Sequence, residues 1–221
     1  MSAHCSFASA RALLLATSLV CLLAETASAV PIGAGTGITL EVMDTTNGGP
    51  RTNIDESFTQ ILGPGSYFAT DFSYATGRGG QATPFLAVLI GADQYQVIAL
   101  GDTVNIPGAE TQTVPFGGTN AFNLPAATTV YAGFTNPPGA IDNPIWLDNN
   151  TVGTTTDHDA TALNLITSVG DIVDGFSHTN LPRTYAFSVN VEQIPEPGTF
   201  VLAGIGVLGT LLLARRKRQQ G

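Results

Sequence analysis

Between residues 30 and 194 the chain has no cysteine and no lysine. Both cysteines, Cys5 and Cys21, lie near the amino terminus. No disulfide can therefore staple the central stretch, and its stability must come from a packed core. Charged residues make up 11% of the 221, against about 25% in an average soluble domain. That scarcity argues against a long coiled coil or helical bundle, which needs Glu, Lys and Arg at helical period. At 43% hydrophobic, the chain is also too apolar for a disordered acidic protein. Arg51, Arg78 and Arg183 are the only cations of the central stretch, against fifteen carboxylates, a balance of −12. A surface of that sign repels polyanions. It argues against a nucleic-acid partner, which must be met with Lys and Arg.

Catalytic patterns are missing too. There is no Gly-x-Ser-x-Gly elbow and no phosphate-cradling Gly-Lys-Ser/Thr. The central stretch holds only two histidines, His158 and His178. Gly33, Gly35 and Gly37 do not follow a strand pattern, so they are not a dinucleotide fingerprint. The expectation is a protein that is not an enzyme and needs no cofactor. A hydrolase with an unreadable site is the weakest alternative.

What is present is period-two hydrophobicity. Tyr185, Phe187, Val189 and Val191 alternate with small or polar residues, as a half-buried strand requires. Phe68, Thr70, Phe72 and Tyr74 form a second such row, Val130, Ala132 and Phe134 a third, and Ile38, Leu40 and Val42 a fourth. Residues 84–90 are an unbroken apolar run, expected to be a central strand buried on both faces. The turn Gly91-Ala92-Asp93 then leads into Tyr95, Val97 and Ala99. Phe116, Phe122 and Leu124 predict two short strands around Gly117-Gly118. Gly- and Pro-rich turns recur along the stretch, and a helix is compatible only with residues 160–173, where Gly170 weakens it. Residues 30–193 therefore predict one all-β domain, an antiparallel β-sandwich or jelly roll.

Two features of this domain could bind a ligand. Asp142, Asp148, Asp157, Asp159, Asp171 and Asp174 fall within 33 residues, with Asn143, Asn149, Asn150 and His158 among them. Carboxylates and amide carbonyls are calcium's preferred ligands. Asp157 and Asp159 are the candidate pair, although the EF-hand spacing is missing; solvated loop acids are the other reading. Trp146, the single tryptophan, stands in Asn143-Pro144-Ile145-Trp146-Leu147. Exposed, it could stack on a sugar ring, whereas a core position fits its Ile and Leu neighbours.

The ends carry addresses. Residues 12–23 form a short apolar run after Arg11, and Ala27-Ser28-Ala29 has the small residues at Ala27 and Ala29 that signal peptidase requires. Residues 1–29 are expected to be a secretory signal cut before Val30. At the other end, residues 198–214 are seventeen uncharged residues. As a helix they would span about 26 Å, enough for a thin bilayer core. Arg215, Arg216, Lys217 and Arg218 follow at once and would hold the far end in the cytoplasm.

Pro195-Glu196-Pro197, this apolar run and the basic cluster resemble, in order and spacing, the PEP-CTERM sorting domain of Gram-negative bacteria. The resemblance covers residues 194–218. It implies recognition by exosortase, processing near the tripeptide, an inner-membrane-anchored precursor with its body in the periplasm, and passage to the cell surface or extracellular matrix. The family's usual setting implies a non-catalytic structural or adhesive role in an exopolysaccharide or biofilm matrix. A carbohydrate-binding module, with exopolysaccharide as partner, is the alternative.

Overall fold

The computed structural model describes residues 28–37, 42–43, 52–137, 146–148, 157–160, 166–174, 176–179 and 184–195, together with Gly204, Gly206, Leu208, Gly209, Leu212, Arg215 and Arg216. The chain divides into two units, one of Ala29–Ile194 and one of the terminal segments Met1–Ser28 and Pro195–Gly221.

The first unit is predominantly β, and all its strand pairings are antiparallel. The described strands are β1 (Val30–Ile32), β2 (Val42–Met43), β3 (Thr52–Leu62), β4 (Gly65–Thr76), β5 (Gly80–Gly91), β6 (Gln94–Leu100), β7 (Val104–Ile106) and β8 (Glu110–Pro115). They continue with β9 (Ala121–Leu124), β10 (Thr128–Thr135), β11 (Trp146–Asp148), β12 (Asp157–Ala160), β13 (Ile172–Val173), β14 (Phe176–Thr179), β15 (Thr184–Tyr185) and β16 (Phe187–Ile194). One sheet runs β1-β16-β4-β8, with β9 also on β4. A larger one runs β13-β6-β5-β10-β3-β12-β14, with β7 on β5. A small third sheet is β15-β11-β2.

One apolar core draws on both large sheets. Phe72, Tyr74, Phe187, Val189 and Val191 come from the first, and Leu86, Ala99, Val130, Ala132 and Phe134 from the second. Phe134 meets Phe187 and Tyr185 edge-on, at centroid distances of 5.2 and 5.4 Å, the geometry favoured by ring quadrupoles. Gly133 lets these strands approach: a Cβ there would run into the Phe85 ring and the Asn53 carbonyl. A second cluster lies on the opposite face of the larger sheet, with Ile54, Phe85, Ala87, Tyr95 and Val97 covered by Ile166 and Val173.

Several expected strands are in place. Val130, Ala132 and Phe134 are fully buried on β10. Residues 84–90 lie on the longer β5, buried on both faces only through Ala87, with Leu89 and Ile90 exposed. The Ala92-Asp93 turn joins β5 to β6, with Asp93 at φ 54°. The last strand is interrupted after Tyr185, so β15 and β16 enter different sheets.

Two expectations need correction. In β4 the buried residues are Tyr67, Ala69, Phe72, Tyr74, Ala75 and Thr76, and Phe68 and Thr70 do not share a face with Phe72. The cause is a bulge: the β4–β16 register shifts between Asn190 and Val191, and one extra residue on β4 reverses the alternation. Nor is there a helix in the described part of residues 160–173. Gly170, at φ +96°, turns the chain into β13 instead. Ile38 and Leu40 lie outside the described residues, and Val42 is on β2.

β1 closes one edge of the first sheet. Val30 pairs with Val191, Pro31 with Asn190 and Ile32 with Val189. Ile32 is fully buried in the main core. Beyond it, the Gly33 N–H donates to the Phe58 carbonyl at 2.9 Å and the Gly35 N–H to the Phe187 carbonyl at 2.8 Å. The segment thus straps β16 to β3. Gly33 has φ +110°, and a Cβ there would stand 2.6 Å from the Phe187 oxygen, so the strap requires glycine at this position.

Candidate functional site

The junction between body and sorting residues is built by β16. Its pairing with β4 continues through Gln193↔Tyr67 to Ile194↔Ser66. Pro195 follows immediately and is outside the strand. Proline has no N–H to continue the ladder, so the last strand ends where the Pro-Glu-Pro tripeptide begins. β4 is anchored at the same level. Tyr67 donates to the Gly63 carbonyl at 3.0 Å and stacks on Phe122, and Ser66 donates to Asn123 Oδ1 at 3.3 Å. Glu196 and Pro197 lie outside the described residues. So do Lys217 and Arg218, and the signal residue Ala27; Ala29 is exposed, one residue before β1. Gly204, Gly206, Leu208, Gly209, Leu212, Arg215 and Arg216 have helical backbone. No helix among the described residues is long and apolar enough to cross a membrane.

The described acids of this stretch lie on several elements. Asp157 and Asp159 stand on β12, not in a loop, opposite Thr179 and Ser177 of β14; His158 is opposite His178. Asp148 is on β11 opposite Thr184. Asp142, Asn143, Asn149 and Asn150 lie outside the described residues. Asp171 is occupied within its own loop. Its carboxylate accepts from the Thr167 N–H at 2.8 Å, the Ser168 N–H at 2.9 Å, and the hydroxyls of both residues. The Thr167 amide, foremost among these donors, holds the Asp171 carboxyl below its ordinary range. Among the described residues, no three His, Cys, Asp or Glu side chains come together as a metal-binding set. Trp146 is on β11 opposite Met43.

Two polar groups escaped the sequence reading. On the outer face of the larger sheet, the Tyr95 hydroxyl donates to the Glu56 carboxylate, and Tyr131 meets Tyr95 edge-on at 5.1 Å. Burial first, and Glu56 second, push the Tyr95 hydroxyl up, and Tyr131 moves the same way for the same reasons. Both tyrosines therefore stay neutral, and Tyr95 serves as a donor rather than a base. On β3, Asn53 and Asp55 pair opposite the core residues Phe134 and Ala132 and are themselves buried. The Asn53 amide has no hydrogen-bond partner. Only a three-dimensional register reveals these groups. In sequence, Glu56 and Tyr95 are 39 residues apart and belong to no spaced motif.

Comparison with known proteins bears on one end of the chain. Residues 193–218 match the family model of the PEP-CTERM protein-sorting motif. The match covers the carboxyl-terminal region alone. The motif points to an exosortase-sorted surface or secreted protein. No curated protein and no solved structure matches the chain.

Proposed function

We propose that this chain is an exported, non-catalytic surface protein whose body is a β-sandwich displayed through its PEP-CTERM signal, with a structural or adhesive role in an extracellular polysaccharide matrix. The observation that carries the reading is the sorting motif at residues 193–218, which in sequence begins at the end of the last strand. One core shared by two large sheets supports the sandwich. The acidic, lysine-free body supports a soluble matrix role, because like-charged copies repel rather than precipitate. The readable catalytic patterns are missing, which supports a role other than turnover.

In the precursor, residues 198–214 cross the inner membrane once. Arg215, Arg216, Lys217 and Arg218 stay in the cytoplasm, because translocating four cations is costly. The body then faces the periplasm of a Gram-negative cell, after signal peptidase has cut between Ala29 and Val30. Protease added to spheroplasts should digest the body and spare a tag placed after Gly221. A digested tag with a protected body would invert the topology and remove the sorting reading.

A further inference from the structure

The strand register places both terminal connections of the body at one end. Val30 pairs with Val191, so the chain enters β1 alongside the last residues of β16, and it leaves β16 at Ile194. Ile194 is opposite Ser66, one residue from Gly65, and Gly65 is opposite Leu124. Leu62 precedes the Gly63-Pro64 turn and pairs with Thr128. In β5, Val88 pairs with Val130, so Leu89, Ile90 and the Ala92-Asp93 turn lie at this same end. The end is therefore formed by three turns, at residues 63–64, 92–93 and 125–127, together with Ile194.

This end is where the exposed apolar side chains collect. The body's exposed large hydrophobics, among the described residues, are Phe58, Ile61, Leu89, Ile90, Val169, Ile172 and Ile194. Four of them are here: Ile61 at 74% exposure, Leu89 at 49%, Ile90 at 47% and Ile194 at 38%. Ile61 pairs with Thr129, and Leu89 is one residue beyond the Val88↔Val130 pair. The two thus flank Thr129 on neighbouring strands, about 10 Å apart at the usual strand spacing. The three turns add Gly63, Pro64, Ala92, Pro125, Ala126 and Ala127. The described charges nearby are Asp93, Asp174 and Glu192, all carboxylates.

We propose that this end of the body is a membrane-contact surface that rests on the lipid interface while the precursor awaits processing. The inference rests on the anchored-precursor reading above. Its occupant is set by tether length. Only Pro195-Glu196-Pro197 separate Ile194 from the uncharged run that starts at Gly198. Three residues of chain reach about 10 Å at most, so in an anchored precursor Ile194 stays within that reach of the uncharged run. An end held there with Ile61, Leu89 and Ile90 outward buries them among headgroups and upper acyl chains. With carboxylates and, among the described residues, no cation at its rim, the contact is apolar and does not depend on anionic lipid. It also keeps the tripeptide at membrane depth, where a membrane-embedded processing enzyme works.

The test uses the full chain with Cys5→Ser and Cys21→Ser, so that one introduced cysteine carries a fluorophore. Ile61→Cys and Leu89→Cys report on this end. Gly108→Cys reports on the opposite end, where a side chain meets nothing within 4 Å. The chain is reconstituted into vesicles of three parts phosphatidylethanolamine to one part phosphatidylglycerol, with a nitroxide quencher on the lipid. Probes at 61 and 89 should lose on the order of half their emission at both low and high salt, and the probe at 108 almost none. Equal quenching at 61, 89 and 108, or none at any of them, in vesicle-bound protein overturns the membrane contact and leaves the anchor reading intact. A chain that fails to co-sediment with vesicles removes both. Shielding of 61 and 89 without lipid, together with a dimer mass, assigns the surface to a second copy and overturns the proposal.

Discussion

The two ends of the strands solve opposite problems. At the end holding Val30 and Ile194, turns of Gly, Pro and Ala expose Ile61, Leu89 and Ile90. At the far end, where β4 passes into β5, side-chain hydroxyls tie the loops down. Thr76 donates to the Gly108 carbonyl at 2.7 Å, and the Thr83 and Thr103 hydroxyls lie 2.8 Å apart. Burial there, followed by the nearby Glu110, pushes the Tyr74 hydroxyl up, so it remains a neutral donor. Polar bonds hold loops at both ends, as Tyr67 does at Gly63 and Thr128 at Ala126; what sets the Ile194 end apart is the apolar side chains it leaves exposed. The same strands connect them, and the proposed membrane contact would account for the apolar side chains left exposed at one end only.

The comparison breaks first where both ends share a core. Phe134→Ala removes a fully buried ring packed on Tyr185 and Phe187, and should cost about 3–5 kcal/mol by denaturant unfolding. A loss under about 1 kcal/mol would mean that the sheets do not depend on one core. Ile32→Ala comes next and acts on the tethered end, because Ile32 is the buried plug of β1. The expected loss is about 2–4 kcal/mol, with faster amide exchange at Val189 and Val191. Unchanged exchange there would detach β1 from the support of β16.

At the far end, Thr76→Val deletes the bond to Gly108 while keeping the side chain's shape, and should cost about 1 kcal/mol. Asp171→Asn tests a loop away from either end. The Asp171 carboxyl is held below its ordinary range in the folded state, so its stabilisation is present above the unfolded carboxyl range and is lost as pH falls through the folded value. The variant should be less stable than the parent near neutrality and converge with it in acid. The loop is solvent-exposed, so the gap at neutrality should be about 1 kcal/mol or less. A gap that widens on acidification would contradict this assignment. Ile61→Asn is the smallest effect. At 74% exposure it should leave solution stability within about 0.5 kcal/mol, so that a change in membrane contact could not be blamed on misfolding.

How much of this could be read in the sequence varied with the kind of signal. Alternation located β10 and β16 because their large apolar side chains keep period two, even though Thr135 and Ser188 on the other face are buried as well. It misassigned Phe68 and Thr70, because a bulge adds a residue without any compositional mark, and every side chain before it changes face. The acids at 157–174 were grouped by proximity in sequence. Sequence proximity does not tell that Asp157 and Asp159 belong to a strand and that Asp171 closes a loop on Thr167 and Ser168. The sorting signal was legible because it is linear. A tripeptide, an apolar run and a basic cluster are read as chain, without folding. The Glu56–Tyr95–Tyr131 group was not legible, since β3, β6 and β10 meet only through the sheet.

The central claim is that the carboxyl-terminal signal is an address removed from a folded, exported body. The most direct measurement is the intact mass of the protein extracted from the surface of cells with a functional exosortase. The account predicts a chain that begins at Val30 and lacks residues 198–221. A mass that retains those residues would contradict it.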